Sequence, residues 1–153
     1  LLSDGSETLI GISWHSLKPR RGAESKLISL APLAKKLHAP KVKLINLQYG
    51  DVNDELDRLR KEHDIDVIQV HEIDNKADMD GLAAPIMACD KVVSISNVTA
   101  HLAGALGKEA QVLLAYASDW RWGMDFHSTH WYNSVQLYRQ TKLGNWDEII
   151  EKL

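Results

Sequence analysis

Lys91-Val-Val-Ser-Ile95, Ser96-Asn97, Val98-Thr-Ala-His-Leu-Ala-Gly-Ala-Leu106, Gly107 and, after a short gap, Gln111-Val-Leu-Leu-Ala115 form the stretch that decides the fold. Val92, Val93 and Ile95 are β-formers without polar alternation, so the segment reads as a strand buried on both faces. Ser96, Asn97 and Thr99 are residues that cap a helix start. The small residues from Val98 to Leu106 read as a slim helix, with Ala100, Ala103, Gly104 and Ala105 letting it press on a sheet, and Gly107 reads as its C-cap. A second apolar strand follows. Strand, helix and strand in this order form the crossover unit of a parallel sheet.

The same alternation extends in both directions. Upstream, strands are expected over Thr8 to Trp14, Val42 to Leu47 and Asp66 to Val70, with helices over Leu30 to Leu37, Asn53 to His63 and Met79 to Ala88. Downstream, a long aromatic loop runs to about Tyr132, followed by a sixth strand over Val135 to Tyr138 and a helix over Asn145 to Leu153. The expected architecture is α/β: a Rossmann-like, doubly wound parallel sheet of about six strands in the order 3-2-1-4-5-6. Ligands of such sheets bind outside the carboxyl ends of the strands, near the switch in strand order.

Composition bounds the rest. The 153 residues suit one domain with a real core, and 44% hydrophobic with 25% charged residues is ordinary for a globular protein. A net charge of -3 gives no global pull toward nucleic acid or an anionic membrane. The single cysteine, Cys89, lies in an apolar stretch and reads as a core residue; with no disulfide framework, a cytoplasmic setting is expected. No apolar run approaches the length of a membrane span, and the opening residues lack the pattern of a signal peptide. The chain enters its first strand almost at once, as a piece of a longer chain would, so residues 1–153 are read as a single domain of a larger protein.

Three stretches could carry chemistry. The loop after the first strand holds Lys18, Arg20, Arg21 and Lys26, the kind of charges a diphosphate needs; a solvated basic loop is the plain alternative. The same loop lacks Gly-x-Gly-x-x-Gly and any Walker lysine, which argues against nicotinamide or ATP binding in those modes. The second stretch is the helix start at Ser96, Asn97, Val98, Thr99 and His101, where backbone N–H groups attract phosphate. His101 would donate to a phosphate oxygen there, or simply pack.

The third stretch is Asp119-Trp120-Arg121-Trp122-Gly123 with His127, His130, Trp131 and Tyr132, where Trp faces suit sugar or base stacking, or pin the loop. Trp14, Gln48, Tyr49 and His71 lie at strand ends on the expected ligand edge and are further candidates for base or sugar contacts, with Asp119, Trp120 and Arg121. His127 and His130 lack the further ligands a zinc site needs, so no metal site is expected. No nucleophile-elbow serine and no marked pair of carboxylates is present, so no catalytic residue is assigned.

Several of these blocks carry a resemblance. HLAGALGK (His101 to Lys108), LQYGD (Leu47 to Asp51), DWRWG (Asp119 to Gly123), WY-x-S-x-x-LYRQ (Trp131 to Gln140), Gly144-x-Trp146 and GISW (Gly11 to Trp14) run in order across nearly the whole chain. Together they resemble the C-terminal, donor-binding domain of bacterial tetratricopeptide-repeat-linked glycosyltransferases, related to the heptosyltransferases and, more distantly, to the O-linked N-acetylglucosamine transferase. The resemblance implies the C-terminal half of a GT-B fold, a nucleotide-sugar donor, no required cofactor or metal, and an inverting reaction. It also implies an N-terminal half, with tetratricopeptide repeats, elsewhere in the parent chain, so that this domain alone would be inactive. The phosphate-binding turn carries over to Ser96, Asn97, Val98, Thr99 and His101. Heptosyltransferases read Asp-Thr-Gly where this chain has Ser96, Asn97 and Val98, a change in charge and backbone freedom that does not carry heptose over as the donor sugar. A non-catalytic nucleotide-binding or interaction module, and half of a sugar-nucleotide epimerase, are the alternatives.

Overall fold

The structure, a computed structural model, describes residues 6–16, 27–124 and 127–153. Its strands are β1 (Thr8–Ser13), β2 (Val42–Asn46), β3 (Val67–Ile68), β4 (Lys91–Ile95), β5 (Ala110–Leu114) and β6 (Val135–Arg139). They form one six-stranded sheet in the order β3-β2-β1-β4-β5-β6, and every pairing is parallel. The helices are α1 (Leu30–Leu37), α2 (Asn53–His63), α3 (Met79–Ala88), α4 (Val98–Ala105) and α5 (Asp147–Ile150). This is the doubly wound Rossmann-like sheet that the strand and helix alternation predicts.

Successive residues along each strand feed two different cores. Ile10 and Ile12 of β1, Val93 and Ile95 of β4 and Leu113 of β5 pack under α1, α2 and α5. Leu9, Val92, Val112 and Leu114 face the opposite way, under α3 and α4. Both faces being covered is why the strands read as unbroken apolar runs. An eight-residue helix such as α1 is marginal in isolation. Its Leu30, Leu33 and Leu37 are all buried, and each such side chain contributes about 1.5–3 kcal/mol. Packing, more than propensity, therefore makes it a helix.

Two elements are shorter than their sequence signals by more than one residue. The third strand keeps only Val67–Ile68 of the expected Asp66 to Val70. It is an edge strand, and the Gln69 side chain is engaged by Asn46 at 3.4 Å and Asn53 at 3.1 Å where the ladder stops. The last helix is Asp147–Ile150, not Asn145 to Leu153. Gly144 sits at φ +76°, Asn145 Oδ1 accepts from the Glu148 amide, and after Ile150 the exposed Glu151 is held by Lys36, whose Nζ donates to Glu151 O at 2.8 Å. Cys89 is buried, and burial pushes its thiol up to about 12, so it stays a neutral core group.

Gly107 ends α4 as its position suggests. At φ +70° it donates to Gly104 O at 3.1 Å, while Lys108 donates to Ala103 O at 2.9 Å, the paired bonds of a Schellman cap. An L side chain in this left-handed conformation costs about 1–2 kcal/mol. Gly107→Ala is therefore expected to lower the unfolding free energy by about that amount in urea melts, and Gly107→Asn by less.

Candidate functional site

The chain leaves β1 toward α1 on one face of the sheet and leaves β4 toward α4 on the other. The connections after these two neighbouring strands diverge, which opens a crevice at their carboxyl ends. The backbone has no ladder partner there, and side chains take over. Gln48 Oε1 accepts from the amides of Trp14 and His15 and from Ser13 Oγ, each at 3.0 Å. Ser13 Oγ in turn accepts from Asn97 Nδ2 at 2.7 Å. Asn97 Oδ1 accepts from Ser94 Oγ at 3.0 Å and from the Ala100 amide at 3.3 Å. Ser13, Gln48, Ser94 and Asn97 are all buried, so these bonds form a dry polar floor running from the end of β2 across β1 to β4.

This floor redistributes the candidates. Asn97 is the cap of α4 and a strut of the floor. Thr99 is fully buried and its hydroxyl donates to Leu47 O at 3.4 Å. Val98 is exposed, and the amides of Val98 and Thr99 have no acceptor among the described residues. Gln48 is buried and spent on the floor. Trp14 is also fully buried, with its indole N–H donating to Glu55 Oε2 at 2.7 Å; it continues the row of Ile10 and Ile12 into the core instead of facing a ligand.

His101 stands on the side of α4 away from the sheet. Its ring stacks on Trp122 at 4.6 Å and 14°, and its Nδ1 lies 3.2 Å from the Tyr132 hydroxyl. Trp122, in the 3-10 turn Trp120–Trp122, donates from Nε1 to Ser96 Oγ at 2.7 Å. One buried indole thus holds both Ser96 and His101. The Tyr132 ring lies where a side chain on Gly104 would be, since an added Cβ would stand 2.5 Å from it. Ala100 and Ala103 do face the sheet core, but Gly104 is small for Tyr132, and Ala105 is exposed. Burial first, and the Arg121 charge second, hold His101 below the ordinary imidazole range, with Asp119 opposing.

The remaining candidates lie around this centre. Tyr49 donates to Ser16 Oγ at 3.1 Å. Tyr49 and exposed His71 line a hollow of about 240 Å³ beyond β2 and β3, with Asn46, Gln48 and Asn75. Asp119 and Arg121 form an ion pair at 2.9 Å, and the Arg121 guanidinium lies 5.2 Å from the centre of the exposed Trp120 ring. Lys18, Arg20, Arg21 and Lys26 lie outside the described residues. Ser13 is not among the residues that the sequence reading singles out, whereas Trp122 and Tyr132 lie in its third stretch, where the alternative to stacking on a ligand is to pin the loop. Among the described residues there is no cluster of three or more His, Cys, Asp or Glu side chains placed to hold a metal, and no helix long and apolar enough to cross a membrane.

No family model matches the chain. Protein FlbA of Caulobacter vibrioides is 34% identical over 144 residues, which covers 94% of this chain and 24% of that protein. The chain therefore spans about a quarter of the length of this relative. Among solved structures, the glycosyl transferase family 9 protein from Veillonella parvula DSM 2008 is similar with a TM-score of 0.55 and 16% identity, covering 91% of this chain and 36% of that one. The chain shares its fold with part of a glycosyl transferase.

The floor makes Asn97 a structural residue above all. Asn97→Ala removes a cap, worth about 0.5–2 kcal/mol, and takes one partner from each of the buried Ser13 and Ser94 hydroxyls, which keep Gln48 Oε1 and Ile95 O, at about 0.5–1.5 kcal/mol. A loss of about 1–3 kcal/mol is expected by urea unfolding; an unchanged midpoint would contradict the floor. His101 adds a pH dependence. Its folded pKa lies below the ordinary imidazole value of about 6.5, so the unfolded chain takes up a proton that the folded chain refuses. The stability tied to neutral His101 is fully present above about pH 6.5 and declines as pH falls through that value toward the lowered pKa. His101→Gln is expected to lose less stability than the parent between about pH 7.5 and about pH 5.5.

Proposed function

We propose that this chain is the nucleotide-sugar-binding part of an inverting glycosyltransferase, with the donor diphosphate held in the crevice between the carboxyl ends of β1 and β4. The observation that carries the reading is the start of α4. It brings the amide of exposed Val98, which has no acceptor among the described residues, and an imidazole with one uncommitted nitrogen to the switch point of a fold shared with a glycosyl transferase. In this reading the Val98 amide, His101 and Ser96 receive phosphoryl oxygens, and buried Thr99 holds the turn through Leu47 O. Lys18, Arg20, Arg21 and Lys26 supply cations from the connection after β1, and the hollow beside Tyr49 and His71 takes the base or ribose. Asp119, Trp120 and Arg121 border the sugar.

The chemical contribution would be electrostatic. Fixed N–H dipoles and side-chain cations stabilise the charge that builds on the leaving diphosphate, and they need no reorganisation during the step. No residue described here is assigned as the base that activates an acceptor. That group, and the acceptor site, would belong to a part of a longer protein such as an N-terminal GT-B half joined to tetratricopeptide repeats; the fourfold greater length of Protein FlbA is compatible with such an arrangement.

Titration of the labelled chain with UDP, GDP or ADP, in the absence of magnesium, is expected to move the Val98, Thr99 and His101 amides first, with a dissociation constant near about 1 mM. Shifts confined to the amino edge of the sheet would refute the site. Neutralising the residue of Lys18, Arg20, Arg21 and Lys26 that contacts diphosphate should cost about 1.5–3 kcal/mol of binding, enough to carry a millimolar complex beyond detection. The same change should alter folding stability by no more than about 0.5 kcal/mol. The chain alone is expected to transfer no sugar, and turnover by it would overturn the division of labour.

A further inference from the structure

The imidazole of His101 is enclosed on two sides. Trp122 lies flat against it, and the Tyr132 ring meets it at 5.9 Å and 63°. A stack fixes the plane of a ring but not which way round it sits: a half-turn about the outer torsion exchanges nitrogen and carbon and leaves the stack intact. The Tyr132 hydroxyl, 3.2 Å from Nδ1, removes that equivalence because only a nitrogen can bond it. It also selects a tautomer. If the hydroxyl donates to Nδ1, the single proton of a neutral imidazole must sit on Nε2; if it accepts, Nε2 presents a bare lone pair. Nε2 has no hydrogen-bond partner among the described residues.

We infer that Tyr132 is a positioning residue, donating to Nδ1 of His101 so that Nε2–H is presented to the phosphoryl oxygens of a nucleoside diphosphate. This rests on the donor-site reading, because an anion needs a donor and not a lone pair. The charged groups that act on His101 are Arg121 and Asp119, which are paired with each other at 2.9 Å; α4 carries no acidic residue in its first turn and no basic one in its last. Burial keeps the ring neutral. A neutral imidazole donates from one nitrogen only, so the choice of nitrogen decides whether it binds phosphate. Free imidazole side chains already favour the Nε2–H tautomer in water, so the larger task of the hydroxyl is to hold the ring the right way round. Gly104 is the enabling residue: a Cβ there would stand 2.5 Å from the Tyr132 ring.

Imidazole nitrogen–proton correlation spectra of the full chain, parent and Tyr132→Phe, test this. The phenylalanine keeps the ring over Gly104 and removes only the hydroxyl. The parent is expected to show the Nε2–H tautomer at about pH 7.5. In Tyr132→Phe the His101 titration should move upward, because a donor that favours the neutral form is gone. Affinity for the tightest of UDP, GDP and ADP should fall about two- to fourfold, as the correctly oriented fraction drops. An Nδ1–H tautomer in the parent, a downward titration shift in the variant, or unchanged affinity would each overturn the assignment. The parent tautomer is read without nucleotide and without any variant, so poor folding of Tyr132→Phe leaves that arm decisive. If the parent shows Nε2–H but binds none of the three nucleotides, the donor-site reading fails and the phosphate role of Tyr132 fails with it, while the direction of the hydrogen bond stands.

Discussion

The carboxamide of Asn97 joins two strands whose connections run to opposite faces of the sheet. Where β1 and β4 end, the backbone cannot continue its ladder, because the chain turns one way after Ser13 and the other way after Ile95. A side chain must bridge the gap, and it must both donate and accept. Asn97 donates from Nδ2 to Ser13 and accepts at Oδ1 from Ser94 and Ala100. Aspartate would bring a buried charge and no donor, and serine would be too short to serve both sides. Through Ser13 the bridge reaches Gln48, which gathers the amides of Trp14 and His15 that β1 leaves behind. The start of α4 and the end of β1 are therefore set relative to each other by side-chain bonds that exclude water.

That joint fixes one end of α4, and two kinds of packing fix its sides. Toward the sheet, Ala100 and Ala103 allow close approach to the core. Away from it, Gly104 admits the Tyr132 ring, and Trp122 stacks on His101. The segment that supplies Trp122 is itself tied down: Arg139, at the end of β6, donates to Ser118 and to Gly123 O. His101 consequently inherits its orientation from β4, β5 and β6 together, although it lies on none of them.

How far the sequence reveals this depends on the range of the forces involved. The limits of α1, α2, α3 and β4 match the sequence reading because apolar spacing and the Asp78 cap are local signals. The strand order follows from alternation with short crossovers, which leaves few arrangements. β3 and α5 fall short because their ends depend on Gln69 reaching Asn53 and on Lys36 of α1 reaching Glu151, and neither is written locally. The place of the crevice between β1 and β4 was legible, since the sheet type dictates it. The identity of its contacts was less so. Trp14 looked available at a strand end, but the row Ile10, Ile12, Trp14 keeps a period of two and sends the indole into the core. Gln48 and Asn97 looked like ligand contacts, and their polarity serves the protein itself. The clue to Tyr132 was the lone glycine within a run of alanines, which marks closer contact than the sheet requires.

The floor has a consequence for any anion above it. Ser13, Gln48, Ser94, Asn97 and Thr99 are all uncharged, so these buried side chains neither repel a diphosphate nor neutralise one. A buried cation in that position would carry a desolvation cost and would need a partner of its own. A neutral floor avoids this cost and spends its bonds on rigidity. In the proposed donor site, charge compensation would then have to come from elsewhere: the start of α4, one neutral imidazole, and whichever basic residues the longer connections supply. Cations at a solvated rim stabilise an anion less per contact than buried ones, but they can release it when the chemistry is done. On the proposed reading, a rigid neutral floor therefore suits a ligand that must be held in one geometry during transfer and let go afterwards, as a nucleoside diphosphate leaving group must be.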